Sequence, residues 1–181
     1  MSLRIKYLVI FAGEAIGCLI AISLLWHFLI ASSYNHLLVW IADRLSSSQI
    51  VLGDGSANIY FYSAGPEAWI YGSSLHYGLL LVVALIATTP GLKLRQRLKF
   101  IPLALLIMFI IHIITILTFA RVARSSSPAH PMNENPWVTL FLVVGCDLFP
   151  ALIWGVLSYK YWSSKLKAAP PRGGNPKNKS Q

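Results

Sequence analysis

Three ionisable residues lie inside long apolar stretches of the sequence, where a charged side chain is costly unless it is paired or hydrated. They are Glu14, His112 and Asp147. Asp147 follows Trp137 by ten residues and His112 precedes Ala120 by eight, so helical geometry places both about 12 to 15 Å from the same boundary. The matched depths predict a His112–Asp147 hydrogen bond or ion pair, which would serve either function or the attachment of two helices.

Small residues at helical spacing surround Glu14. Gly13, Gly17 and Ala21 form a stripe on one helix face. Such a stripe lets another helix approach closely, so helix packing is the favoured role of this segment. A proton or ion role for the Glu14 carboxyl is the alternative.

Serine and histidine residues are the weaker candidates for catalysis. Ser73, Ser74 and His76 stand together, and on a helix Ser73 and His76 are neighbours at i and i+3. A hydroxyl beside an imidazole can become an activated nucleophile. His130, farther along the chain, is a fourth candidate. The sequence points to no third orienting group and no oxyanion donor.

No metal site is predicted, because none of the patterns His-x-x-x-His, Cys-x-x-Cys and Glu-x-x-His occurs. No cofactor is predicted either. Neutral imidazole is nevertheless a common metal ligand. Ligation of haem or chlorophyll by His27, His76 or His112 is therefore kept as a third hypothesis.

Four apolar blocks must position these residues. The chain has 181 residues, of which 56% are hydrophobic and 12% charged, whereas soluble domains carry about 25% charged residues. Residues 7–30, 69–89, 100–120 and 137–159 are each long enough to cross about 30 Å of hydrocarbon at about 1.5 Å per residue. The expected fold is an all-α integral membrane protein with four transmembrane helices in one domain, residues 1–167.

Lysine and arginine residues predict the orientation. Twelve of them lie before the first block, between the second and third, or after the fourth, and three lie elsewhere, at Arg44, Arg121 and Arg124. Both termini are therefore expected to be cytoplasmic, in a bacterial inner membrane or an internal membrane. The formal charge of +9 predicts attraction of the cytoplasmic segments to anionic lipid headgroups, and no nucleic-acid partner is expected.

The segment 31–68 is expected to cap the outer face. Residues 34–45 show the pattern of an amphipathic helix that would rest on the outer leaflet or cap the bundle. Its apolar face consists of Tyr34, Leu37, Leu38, Ile41 and Leu45, and Asn35, His36, Asp43 and Arg44 lie away from that face. Two short β-patterned runs, 49–52 and 58–62, flank Gly-Asp-Gly and predict a β-hairpin. Residues 168–181 are expected to be a disordered basic tail on the cytoplasmic side.

The order of features from residue 34 to residue 117 is an amphipathic segment, a hairpin, an apolar block, a basic turn and a block beginning near a proline. This order resembles the exosortase/archaeosortase group of membrane cysteine transpeptidases. The resemblance implies a nucleophilic cysteine, an arginine within Asn-x-x-Arg and an outer histidine. Here residues 72–78 read GSSLHYG and residues 112–115 read HIIT, so cysteine and arginine are not matched, while His130 could stand for the histidine.

Three functions follow as hypotheses. The first is a non-enzymatic integral membrane component that binds other membrane proteins in assembly, in sorting or as a subunit of a complex. The second is an exosortase-like membrane transpeptidase or protease with a diverged active site at the outer face. The third is a membrane subunit that holds haem or chlorophyll.

Overall fold

The computed structural model describes residues 3–53, 58–62, 68–125, 140, 144 and 148–167. These residues form five helices and one three-stranded sheet. The elements in chain order are α1 (Leu3–Leu29), α2 (Ala31–Leu45), β1 (Gln49–Leu52), β2 (Asn58–Tyr62), β3 (Ala68–Tyr71), α3 (Gly72–Thr88), α4 (Leu94–Ser125) and α5 (Phe149–Lys167).

The prediction of four transmembrane helices is wrong. Among the described residues, two helices are long and apolar enough to cross a membrane, Tyr7–Leu29 within α1 and Leu94–Arg124 within α4. They correspond to the first and third predicted blocks. The second and fourth predicted blocks each differ from a membrane span for a separate reason.

The block at 69–89 divides between a strand and a helix. Its first residues belong to β3, and the apolar part of α3 covers only Leu75–Thr88. Fourteen helical residues extend about 21 Å, which is short of the roughly 30 Å hydrocarbon layer. The block at 137–159 lies partly outside the described residues, and α5 runs on to Lys167 through Lys160 and Lys165, which makes its second half polar.

The β-structure is larger than the predicted short hairpin, because a third strand extends it into an antiparallel sheet. β1 and β2 pair as predicted, with Gln49 opposite Tyr62 and Leu52 opposite Ile59. β3 then pairs with β2, Ile70 facing Ile59, and gives the order β1-β2-β3. Ile50, Ile59 and Ile70 are buried on one face of the sheet, where α2 and the last turns of α4 cover them.

Two apolar clusters run along α4. At the end of the molecule that carries the sheet, here named the sheet end, Phe119 and Ala123 of α4 pack against α2 and the sheet. Toward the other end, Ala104 and Met108 pack against α3 and α5. α3 lies between α1, α4 and α5, so most of its side chains are buried. α1 packs mainly against α3, and most of its other side chains are exposed.

The buried face of α2 differs in part from the predicted one, which it shares at Leu38. Leu37 and Leu45 are 49% and 64% exposed, whereas Asn35 is 2% exposed beside buried Leu38 and Ala42. The side chains of Leu38, Val39 and Ala42 lie instead in the apolar cluster formed with the sheet and α4. A polar residue thereby enters the interior, and its hydrogen bonds define the candidate site.

Candidate functional site

Tyr34 is the centre of a buried polar cluster at the junction of α2, α3 and α4. Its hydroxyl lies 2.6 Å from Nδ1 of His112. His112 is 1% exposed and belongs to the apolar middle of α4. The pair therefore joins α2 to the apolar middle of α4.

Asn35, the next residue of α2, makes the second bond of this cluster. Its Oδ1 lies 2.9 Å from Nε2 of His76, and both residues are buried. Since an amide oxygen only accepts, Nε2 of His76 carries the donated proton. Adjacent residues of α2 thus bind histidines from two different helices.

Aromatic contacts join the two hydrogen-bonded pairs. The Tyr34 ring meets His76 edge to face at 5.6 Å and His112 at 6.0 Å between ring centroids. Trp26 of α1 lies over the same cluster, 5.2 Å from Tyr34 and 5.6 Å from His76. Edge-to-face contacts bring the positive edge of one ring to the negative face of another, and they stabilise the cluster beyond the burial of apolar surface.

The Tyr34 phenol remains protonated in this setting. Burial raises the pKa of Tyr34 above its ordinary value, because removing the phenolate from water disfavours the charged form. Donation from this O–H group to Nδ1 of His112 would place the ring proton of a neutral His112 on Nε2.

Two buried nitrogen atoms of the cluster lack hydrogen-bond partners within the described part of the chain. They are Nε2 of His112 and Nε1 of Trp26. A buried donor without an acceptor costs about 1 to 3 kcal/mol. Nε2 of His112 and Nε1 of Trp26 are therefore the two atoms of the cluster at which a further polar group could form a hydrogen bond.

The serine candidates do not join this cluster. Ser73 is exposed at the start of α3, and the side chain of Ser74 lies outside the described parts. His76 is bound to Asn35, and no hydrogen bond links it to Ser73. His130 also lies outside the described residues.

Asp147, the predicted partner of His112, lies outside the described residues as well. The His112–Asp147 pair therefore stays a prediction. The observed partner of His112 at Nδ1 is Tyr34, which leaves Nε2 as the nitrogen that could meet a further group.

The glycine stripe lies on an open face of α1. Gly13, Glu14, Gly17 and Ala21 are all exposed. A Cβ atom built at Gly13 or Gly17 would meet nothing within 4 Å. Glu14 makes no hydrogen bond or ion pair with the described residues, so this face is not used for packing within the described chain.

The histidines considered as metal or haem ligands are His27, His76 and His112. No group of three or more His, Cys, Asp or Glu side chains capable of holding a metal is found among the described residues. His27 is exposed at the end of α1 and contacts Phe28. His76 and His112 each use one ring nitrogen for Asn35 or Tyr34.

Sequence reasoning missed Tyr34 and Asn35 as functional neighbours of the histidines. The sequence pattern places Tyr34 on the apolar face of the amphipathic helix and Asn35 away from that face. One signal was available, because Asn35 shares the spacing 35, 38, 39, 42 with Leu38, Val39 and Ala42. An asparagine on an apolar helix face needs a buried partner.

Comparisons with known proteins assign no family. The chain matches no protein-family model, no curated protein and no solved structure. The resemblance to exosortases and archaeosortases stays a prediction. The function is therefore argued from the described residues themselves.

Proposed function

We propose that this chain is a non-enzymatic membrane component that binds another membrane protein through α1. It would act in assembly, in sorting or as a subunit of a complex. Two of its helices are long and apolar enough to cross a membrane. The single observation that carries the proposal is Glu14 on the open face of α1, beside Gly13 and Gly17.

Exposure of α1 does not by itself separate a protein partner from lipid. Only 6% of its most apolar window is buried, against 28% for α4. Leu24 and Leu25 are 57% and 61% exposed, and lipid acyl chains would cover them as well as a protein partner would. The polar residue on the helix is therefore the discriminating feature.

Glu14 favours a protein partner over lipid. It follows Tyr7 by seven residues, so it lies about 10 Å inside the candidate span. An ionised side chain at the centre of a span costs about 3 kcal/mol on insertion scales, and polar groups in spans face protein or water. A hydroxyl, amide or cationic group on a neighbouring helix would remove that cost.

Gly13 and Gly17 provide the space for such a helix. They are four residues apart and share one face, which Ala21 continues. Close approach of two backbones at small residues is a principal source of helix association in membranes. Glu14 lies at the edge of the same face, where its carboxyl could reach the partner.

The test is co-purification of the full-length chain from its native membrane in a mild detergent, with identification of the associated protein. Gly13→Leu/Gly17→Leu should reduce the associated protein about tenfold, which corresponds to about 1.4 kcal/mol. Gly155→Leu in α5 is the matched control, because a Cβ at Gly155 also meets nothing within 4 Å. Glu14→Gln should weaken the association less, since the amide retains hydrogen bonding.

Two results would contradict the proposal. One is a solitary monomer that carries no protein when purified from its native membrane. The other is equal retention of the partner by Gly13→Leu/Gly17→Leu and by the control, because the glycine face would then not form the interface.

A second candidate function is a diverged transpeptidase or protease. The observation that favours it is the contact of Tyr34 with both His76 and His112. These histidines belong to the segments in which the exosortase resemblance expects the nucleophile and the arginine. A substrate would have to displace α2 to reach them, because both histidines are buried.

A fluorophosphonate probe tests this second candidate, since it labels serines that an adjacent base activates. The enzyme hypothesis expects labelling of Ser73 or Ser74 that disappears in Ser73→Ala/Ser74→Ala and in His76→Ala. Ser33→Ala, at an exposed serine of α2, is the control. An unlabelled protein with normal thermal stability would contradict it, and visible absorbance of the purified protein would instead favour the haem hypothesis.

A further inference from the structure

We propose that a groove at the sheet end of α4 binds the phosphate of an anionic phospholipid, with an acyl chain lying along the adjoining apolar surface. The groove has a volume of about 280 Å³ and is open on one side. Two arginines, Arg121 and Arg124, line it at one end. This site is separate from the α1 face and from the Tyr34 cluster.

The two arginines are suited to an anion. They are three residues apart, so their side chains lie on one face of the helix. Both are exposed, and neither forms an ion pair with a described carboxylate. Guanidinium groups bind phosphate through parallel N–H bonds, which a single ammonium cannot reproduce.

Arg124 is held in place by neutral groups. Its Nε donates to Ser48 Oγ at 3.1 Å, and Nη2 donates to Ser48 Oγ at 2.9 Å and also to Ser47 Oγ. These hydroxyls fix the guanidinium without cancelling its charge. The two N–H groups of Nη1 take part in none of these bonds, so they are available to a ligand.

Apart from the hydroxyl residues Ser46, Ser47 and Thr118, the rest of the groove is apolar and continues along the candidate span. Ile114 and Leu117 of α4 line it together with Leu45 of α2. Ile114 is 52% exposed and Leu45 is 64% exposed. Ile114 and Arg124 are about 15 Å apart along the helix. A ligand that fills the whole groove therefore needs an anionic group for the arginines and an apolar portion for this surface.

A phospholipid has both required parts. Its phosphate would meet the guanidinium groups, and its acyl chain would remove Ile114, Leu117 and Leu45 from water. The end of a span is where headgroup and chain meet. Free phosphate would satisfy only the arginines.

The experiment measures binding of short-chain phosphatidylglycerol to the full-length protein in a neutral detergent by native mass spectrometry. Diacylglycerol with the same chains and inorganic phosphate are the two comparison ligands. Phosphatidylglycerol should bind, diacylglycerol should bind at least about tenfold more weakly, and inorganic phosphate should not displace the lipid at equal concentration.

Variants separate the two halves of the groove. Arg121→Gln should weaken lipid binding about tenfold without loss of fold, since Arg121 makes no hydrogen bond within the described residues. Arg121→Gln/Arg124→Gln should abolish the preference for phosphatidylglycerol over diacylglycerol. Leu45→Asn should weaken binding of the lipid while leaving that of inorganic phosphate unchanged.

Lys93→Gln/Arg95→Gln is the matched control. It also removes two exposed positive charges, but these lie at the start of α4, at the opposite end of the helix from the groove. An equal loss in this control would overturn the proposal, since attraction would then depend only on net charge. Inorganic phosphate that displaces the lipid at equal concentration would also overturn it. The groove would in that case be a site for a free anion.

Discussion

Replacing Tyr34 by Phe tests whether the polar cluster holds α2 against α4. The change removes the hydroxyl that lies 2.6 Å from Nδ1 of His112. It keeps the ring contacts with Trp26 and Phe109, whose centroids are 5.2 and 5.7 Å away. The perturbation is therefore confined to one hydrogen bond.

The expected decrease in the free energy of unfolding follows from the burial of His112. With 1% of its surface exposed, Nδ1 cannot exchange the lost bond for water. A buried acceptor left without a donor costs about 1 to 3 kcal/mol. Hydrogen bonds between membrane helices average only about 0.6 kcal/mol, so a loss above about 1 kcal/mol would mark an ordered, water-free site.

The assay is unfolding of the purified protein in mixed micelles by titration with sodium dodecyl sulfate, followed by circular dichroism. Tyr77→Phe is the control, because Tyr77 is 68% exposed. A double-mutant cycle with His112→Leu should show a coupling of about 1 kcal/mol, since the second change removes the unsatisfied acceptor. If Tyr34→Phe behaves like Tyr77→Phe, or the two changes are additive, the cluster does not fasten α2.

Three further changes test the packing near the turn between α3 and α4, at the other end of these helices, by the same unfolding measurement. Gly91→Ala should lower the free energy of unfolding by about 1 kcal/mol, and Gly91→Asn by less, because Gly91 has φ of 86° in the turn before α4 and asparagine tolerates that conformation better than alanine. Equal stability of the unchanged protein and both variants would refute this. Trp154→Phe should lower the free energy of unfolding by about 1 kcal/mol, since it removes the 2.8 Å hydrogen bond from Nε1 to Thr89 Oγ1 while keeping an aromatic ring against Phe11. An unchanged free energy of unfolding would show that this hydrogen bond does not stabilise the fold. Tyr161→Phe should cost about 0.5 to 1.5 kcal/mol through loss of the 2.6 Å bond from Gln96 Nε2, and a stabilised variant would contradict that bond's role.

The local patterns of the sequence predicted several elements well. The apolar runs at 7–30 and 100–120 correspond to α1 and α4, and the β-patterned runs at 49–52 and 58–62 correspond to β1 and β2. Each of these signals is contained in its own segment. Turn residues, alternation and uninterrupted hydropathy need no information about the rest of the chain.

The second block shows where this reasoning fails. Trp69 and Ile70 are as apolar as the helix that follows, so composition joined them to one span. Pairing of Ile70 with Ile59 instead makes them part of a strand. A strand partner is a long-range contact, and hydropathy along the chain contains no trace of it.

The candidate site shows the same division. From its own residues, the sequence determined that His112 lies within an apolar helix, that Glu14 borders a glycine stripe, and that α1 and α4 are long enough to cross a membrane. Tertiary structure alone decided that Tyr34 meets His112, that Asn35 meets His76 and that Arg124 reaches Ser48. The physical reason is that each of these bonds joins residues at least 41 positions apart, and only the packing of α2 against α3 and α4 brings them within hydrogen-bonding distance.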